Sequence, residues 1–243
     1  VGVVSDQELI WTKGFGHADL EADVHMKSDT RFRMASHSKL FTATAIMQLR
    51  EQNKLRLDDP VTEYLPWFEF QQASDGDSVV TIEHLLTHSS GLPREAGSHW
   101  SDLEFPTSAE VRELMAERQA PFAPEVRWKY SNLAYTIAGM IVEEVSGMSW
   151  ADYLQANIFD PLGMDESSVD KEDSAMAVGY GIRMPDGSRS IMPFVDARGM
   201  AAATGLTSTV KDMSHFVSAQ FREGNRGQDR LLSTASLREM HRV

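Results

Sequence analysis

The segment Phe32-Arg33-Met34-Ala35-Ser36-His37-Ser38-Lys39-Leu40-Phe41 decides how this chain is read. It sets a hydroxyl and an amine three residues apart, directly before an apolar run through Ala43, Ile46, Met47 and Leu49. That run predicts a buried helix, ended by Asn53-Lys54 ahead of the loop Leu57-Asp58-Asp59-Pro60. In a helix opening at Ser36, residues i and i+3 share a face, so Ser36 and Lys39 point the same way. The unpaired N–H groups and the positive end of the helix dipole then lie at Ser36. A serine hydroxyl needs a base to become a nucleophile, and burial or a cationic neighbour turns a lysine into one.

The spacing alone is not decisive, because Ser168 to Lys171 and Ser208 to Lys211 repeat it. Ser168 sits in a polar stretch, Asp165 to Asp173, that reads as a loop. Ser208 reads as the N-cap of a helix with Val210, Met213, Phe216, Val217 and Phe221 on its apolar side. Only Ser36 opens a long apolar helix with a partner motif. That partner is Tyr130-Ser131-Asn132, the single Tyr-x-Asn of the chain. It follows Pro121, Pro124 and Trp128 and enters a helical run from Leu133 to Val145, closed by Gly147. The bland alternative is that Asn132 caps this helix and Tyr130 packs against it. Beside Ser36 and Lys39, the phenol and amide instead suggest a serine hydrolase that activates its nucleophile with Lys and Tyr rather than with His and Asp.

Further segments carry a family resemblance. His84-Leu85-Leu86-Thr87-His88-Ser89-Ser90-Gly91-Leu92 resembles a recurrent LLTHTSGL segment, with Ser89 for the usual Thr. Asp160-Pro161-Leu162-Gly163-Met164 and Gly205-Leu206-Thr207-Ser208-Thr209 match two more landmarks in order. With the approach Phe32 to Ala35, the chain resembles the serine β-lactamase and penicillin-binding superfamily, in its class C β-lactamase-like branch of D-peptidases and esterases. The resemblance runs from about Arg31 to Phe216. It implies Ser36 as the acylated nucleophile, Lys39 and Tyr130 sharing the proton traffic, and Asn132 holding the substrate's amide or carbonyl oxygen. The Ser36 N–H would form half of an oxyanion hole. No metal or organic cofactor is implied. The substrate class is a small ester, peptide or β-lactam.

One part of the family pattern is missing. A Lys-Thr-Gly or His-x-Gly motif normally follows the Gly205 landmark on a strand facing the nucleophile, and neither Lys-x-Gly nor His-x-Gly occurs here. The chain opens on Val1, not Met, directly in a strand-like run. The expectation is a fragment truncated at its C-terminal end, leaving an open apolar sheet edge. A second class of function stays in view: a non-catalytic relative that binds peptidoglycan-like or β-lactam ligands as sensor or scaffold. Intact Ser36, Lys39, Tyr130 and Asn132 favour the enzyme.

Composition bounds the rest. With 243 residues, 42% of them hydrophobic, the chain can bury a sizeable core. A formal charge of −13 argues against nucleic acid and anionic membrane surfaces as partners. No apolar run spans a bilayer and no secretory signal is present; the resemblance leans to the periplasm or an extracellular site. The absence of cysteine excludes disulfides, thiol nucleophiles and Cys-ligated metals. Oligomeric state is not legible.

The expected fold is mixed α and β (α+β): an antiparallel sheet flanked by helices, with an inserted all-helical lobe. Residues 1–58 would begin the α/β lobe, 59–175 form the helical lobe, and 176–243 return to the first. Val1–Val4 and Glu8–Phe15 predict a hairpin turned near Asp6-Gln7. Ala177–Arg183 and Ser190–Val195 predict another around Pro185-Asp186-Gly187. Thr81 would cap a short helix through His88, Thr107-x-x-Glu110 is a capping box, and Ser149 starts a helix through Tyr153 and Ile158. His84 and His88, spaced i, i+4, are read as structural rather than metal-binding, and His37 as a spacer. Asp58-Asp59 and Glu143-Glu144 read as solvated or capping charges. Trp100 and Trp128 could line a cleft or pack in a core.

Overall fold

The computed structural model describes residues 1–69, 79–170, 172–221 and 231–242. The chain opens with the expected hairpin, β1 (Gly2–Ser5) against β2 (Glu8–Thr12). Asp6 and Gln7 turn it with positive φ of 49° and 70°, the backbone twist that suits a tight hairpin. A second hairpin pairs β3 (His17–Asp19) with β4 (Val24–His25). Then β5 (Phe32–Arg33) leads through a 3-10 turn, Ala35–His37, into α1 (Ser38–Glu51). From there only helices follow among the described residues up to Gly163: α2 (Val61–Tyr64), α3 (Ile82–Leu86), α4 (Ser108–Ala116), α5 (Asn132–Ser146) and α6 (Trp150–Leu154). A wide turn, Gln155–Phe159, joins α6 to α7 (Asp160–Leu162). The remainder carries β6 (Ser168–Val169), a hairpin of β7 (Gly179–Tyr180) and β8 (Ile191–Met192), α8 (Ala201–Thr204), β9 (Leu206–Ser208), α9 (Val210–Gln220) and α10 (Thr234–Met240).

The class is the expected one, helices with antiparallel strands, but the described strands do not merge into one wide sheet. They form four small antiparallel sheets, of which β5-β9-β6 is the only one with three strands. Each strand is short, two to five residues, and sheet β5-β9-β6 sits where the Ser36 turn begins. Several local signals act as read. Thr107 and Glu110 close a reciprocal capping box, Ser149 accepts from the Asp152 N–H, and Gly147 ends α5 in the left-handed conformation. Three readings are corrected. The helix after Ser36 opens at Ser38, because Ala35 at φ +46° breaks the helical path and leaves Ser36 in the tight turn before it. Thr209, not Ser208, caps α9; Ser208 is the last residue of β9. Helix α3 stops at Leu86, so His84 and His88 do not share a helix face; His88 has φ +59°.

The core is built around α5, whose residues Asn132 to Val142 are all buried. A helix buried on every side must satisfy its polar groups internally. Helix α1 packs on it with Phe41, Ala45, Ile46 and Leu49 buried, and Phe41 stacks on Phe216 of α9 at 4.0 Å between ring centroids. Helix α8 closes the third side of this arrangement. The contact is tightest at Gly139 of α5, where an added Cβ would fall 2.2 Å from Ala202 Cβ. The outer hairpin is less covered: Val3, Ile10 and Trp11 are exposed. Beside it lies an apolar groove of about 910 Å³, lined by Phe15, Met34, Leu40, Val210 and Phe216 among others. The groove reaches the Ser36 turn through His37, yet Ser36, Lys39, Tyr130 and Asn132 do not line it.

The Gly139 contact yields a prediction. Alanine favours a helix over glycine by about 1 kcal/mol, but here its methyl must drive two backbones apart, which costs about 1–3 kcal/mol. Gly139→Ala is therefore expected to lower stability in urea denaturation; a gain in midpoint would refute the packing argument.

Candidate active site

The turn that carries Ser36 is held from below. Ser38 is fully buried; its Oγ donates to Ala35 O at 2.7 Å and accepts from the Leu206 N–H at 3.0 Å. The turn is thus stapled to β9, and Met34 N–H donates to Leu206 O on the same strand at 2.8 Å. A non-glycine residue at positive φ is a strained choice, and Ala35 keeps it because neighbours on both sides fix it. The consequence is that Ser36 stands exposed while Lys39, one turn later, is buried at 6% exposure.

The structure brings the four sequence-derived residues together. Ser36 Oγ lies 2.7 Å from Tyr130 OH and 3.4 Å from Lys39 Nζ. Lys39 Nζ donates to Asn132 Oδ1 at 2.7 Å and to Ala203 O at 2.8 Å. It also stands over the rings of Tyr130 and Tyr135, 4.9 and 5.8 Å from their centroids. Burial lowers the Lys39 pKa from its ordinary value near 10.5, against the opposing pull of Tyr130 and of Glu95. The amine is thereby easier to deprotonate than a surface lysine.

The carbonyl from Ala203 has a structural logic. Helix α8 is one turn long, so its last carbonyls lack helical partners. Thr42 Oγ1 donates to Ala202 O at 2.7 Å, Lys39 to Ala203 O, and Arg33 Nη2 to Thr204 O at 3.4 Å. Three side chains flanking Ser36 in sequence therefore close the end of α8. Arg33 is itself paired with Asp170 at 3.2 Å.

Sequence reasoning missed the bracket on the other side. The segment from His88 to Glu95 wraps the Tyr130 motif. The Ser131 N–H donates to His88 Nδ1 at 3.2 Å, Ser131 Oγ donates to Pro93 O at 2.6 Å, and Asn132 N–H donates to Arg94 O at 2.8 Å. Asn132 Nδ2 donates to Glu95 Oε1 at 2.7 Å, which fixes the amide so that its oxygen faces Lys39. Behind Glu95 lies buried His99, with Nε2 3.3 Å from Glu95 Oε2. Gly91 makes the wrap possible: at φ +74°, a Cβ there would meet Phe122 O at 1.9 Å. The His88 ring stacks near those of Tyr130 and Tyr135 at 4.6 and 5.1 Å. Burial, with Lys39 nearby, pulls the His88 pKa down to about 4, so it is neutral and can accept at Nδ1. The recurrent His88-to-Leu92 segment was the available signal, but nothing local marked Glu95.

Other sequence readings fall elsewhere. Ser168 is bonded to Thr207 Oγ1, and Lys171 lies outside the described residues; Ser208 is buried while Lys211 is exposed. His84 Nδ1 accepts from the Thr81 N–H as a cap, Asp59 accepts from the Arg56 N–H and Tyr64 OH, and Glu143 accepts from the Trp150 N–H. His37 is exposed, its Nδ1 3.0 Å from Met34 O. Trp128 is exposed near His88, and exposed Trp100 packs edge-on to Phe105. Among the described residues no helix is long and apolar enough to cross a membrane.

Two predictions follow from the bracket. His88 is neutral in the fold but titrates near 6.5 when unfolded, so its contribution to stability is complete above pH 6.5 and is lost as pH falls toward about 4. His88→Gln should flatten the loss of urea stability between neutral pH and pH 5; an unchanged slope would contradict a neutral buried imidazole. Glu95→Ala, by freeing the Asn132 amide, should lower kcat/KM for a hydrolysed ester about 10- to 100-fold. Glu95→Gln keeps an acceptor and should recover most of that loss; equal damage from both would rule out positioning through Asn132.

Known proteins can be set beside this geometry. A family model described as beta-lactamase matches residues 1–242. Esterase EstB of Burkholderia gladioli is 36% identical over 205 residues, which are 76% of this chain and 52% of the esterase. A penicillin-binding protein of Bacillus subtilis is 34% identical over 167 residues, covering 67% of this chain and 36% of that protein. The octameric penicillin-binding protein homologue from Pyrococcus abyssi superposes with a TM-score of 0.81 at 31% identity, over 96% of this chain and 53% of that one. The chain spans about half the length, or less, of these relatives. With residues 1–242 matched by that family model and its helices and antiparallel strands superposing on the Pyrococcus abyssi homologue, the chain belongs to the beta-lactamase family.

Proposed function

We propose that this chain belongs to a serine hydrolase that cleaves an ester or amide through an acyl-enzyme on Ser36. The observation that carries the reading is the 2.7 Å contact between Ser36 Oγ and Tyr130 OH, backed by Lys39 at 3.4 Å. Proton transfer needs hydrogen-bond reach, and the Tyr130 oxygen is nearer to Ser36 than the Lys39 amine. As Oγ bonds to the substrate's carbonyl carbon, its proton passes to the Tyr130–Lys39 pair. The same pair protonates the departing alcohol or amine, and water later releases the acid, restoring Ser36. Asn132, oriented by Glu95, offers its amide to the substrate's carbonyl side, and the Ser36 N–H faces the developing oxyanion. Exposure of Ser36 leaves its face open to substrate, while burial of Lys39 keeps its pKa low. The esterase among the relatives supports an ester substrate; the penicillin-binding proteins support an acyl-enzyme with an amide or β-lactam.

The test is turnover of a short-chain p-nitrophenyl ester by the protein that contains this chain, with intact-mass detection of the acyl-enzyme. Ser36→Ala should abolish both, a loss of at least about 10⁴-fold. Tyr130→Phe should cost about 10²–10⁴-fold. Because burial lowers the Lys39 pKa, kcat/KM should rise with pH through an inflection below 10.5, as the ammonium gives up its proton. Undiminished turnover in Ser36→Ala would refute the assignment. Stable acylation of Ser36 without turnover would favour a penicillin-binding sensor or scaffold instead.

A further inference from the structure

The β3–β4 hairpin takes no part in the site above, yet it gathers chemistry of its own. His17 and His25 are register partners across the two strands, and their rings stack at 4.7 Å between centroids, 29° apart in plane. Asp23, in the connecting turn at φ +53°, brings its Oδ1 to 3.0 Å from His17 Nε2. One donor atom from each of the three residues lies within 4.8 Å of the others. Asp19 Oδ1 accepts from the N–H groups of Glu21 and Ala22 at 3.0 Å each, which folds the turn and returns Asp23 toward the histidines.

We propose that His17, Asp23 and His25 form a binding site for a divalent transition-metal ion of the zinc class. Two imidazole nitrogens and one carboxylate oxygen are a borderline donor set that suits zinc, copper or nickel. Magnesium and calcium want more oxygen donors than the trio holds. Bonds of about 2.0–2.2 Å place tetrahedral donors about 3.3–3.6 Å apart, so side-chain rotations of about 1 Å close the trio around an ion. Asp23 and His25 are exposed and free to make them. The fourth position is left to water. Strands of three and two residues have few ladder bonds of their own, so an ion bridging them would act as a cross-strand clip. Ion binding by this trio does not depend on the proposed hydrolase activity.

The experiment is calorimetric titration of tag-free protein with zinc chloride near neutral pH, with magnesium chloride in parallel. Wild type should bind one zinc saturably, ignore magnesium and gain a few degrees in Tm. His17→Ala and His25→Ala should each weaken zinc binding about tenfold or more and lose the Tm gain relative to their own metal-free state. Asp23→Asn, which keeps the turn's shape, should weaken binding as well. No zinc uptake by folded wild type, or uptake unchanged in both histidine variants, would overturn the proposal.

Discussion

The buried ammonium of Lys39 is the constraint on which the rest of the site depends. A charge taken out of water must be matched by hydrogen bonds and nearby opposite or polarisable groups, or it is expelled or neutralised. Here the acceptors come from α5, through Asn132 Oδ1, and from α8, through Ala203 O, while Tyr130 and Tyr135 turn their ring faces to it. Three separate elements must therefore meet at one atom. The close approach of α5 and α8 at Gly139 and Ala202 is the packing that permits this meeting. A bulkier interface there would move Ala203 O away from Nζ, and the lysine would lose a partner that no local feature replaces.

The chain's local chemistry was legible where a signal and its effect lie within a few residues. Thr107 with Glu110, Ser149, Gly147 and the Asp6-Gln7 turn all act within one helical turn or one hairpin. The errors occurred where a distant strand decided the outcome. Ser36 reads as a helix start until Ser38 is seen to bridge Ala35 O and the Leu206 N–H, 168 positions away, which holds the turn open. Ser208 reads as a cap until its pairing opposite Phe32 places it in β9 and passes the cap to Thr209. Glu95 and the Ala203 carbonyl were invisible, because neither sits in a spacing that implies contact with Asn132 or Lys39. Ser36, Lys39, Tyr130 and Asn132 stand out in the sequence because their types are unusual together, and the fold brings them within hydrogen-bond reach of one another.

Backbone strain completes the picture. Ala35 at φ +46° and His88 at φ +59° are not glycines, and both lie against the site. Such conformations persist only where the surroundings over-determine them. Ala35 precedes Ser36 and is pinned by Ser38. His88 follows α3 and is pinned by the Ser131 N–H on its ring and by the Lys129 N–H on its carbonyl. In each case the strained residue lies against one of the paired oxygens, Ala35 restrained through Ser38 by β9 and His88 by the start of α5. Local preference would relax both turns and let Ser36 Oγ and Tyr130 OH drift apart. The two restraints together hold the two oxygens at 2.7 Å, so in the proposed mechanism the geometry for proton transfer is set by packing rather than by binding.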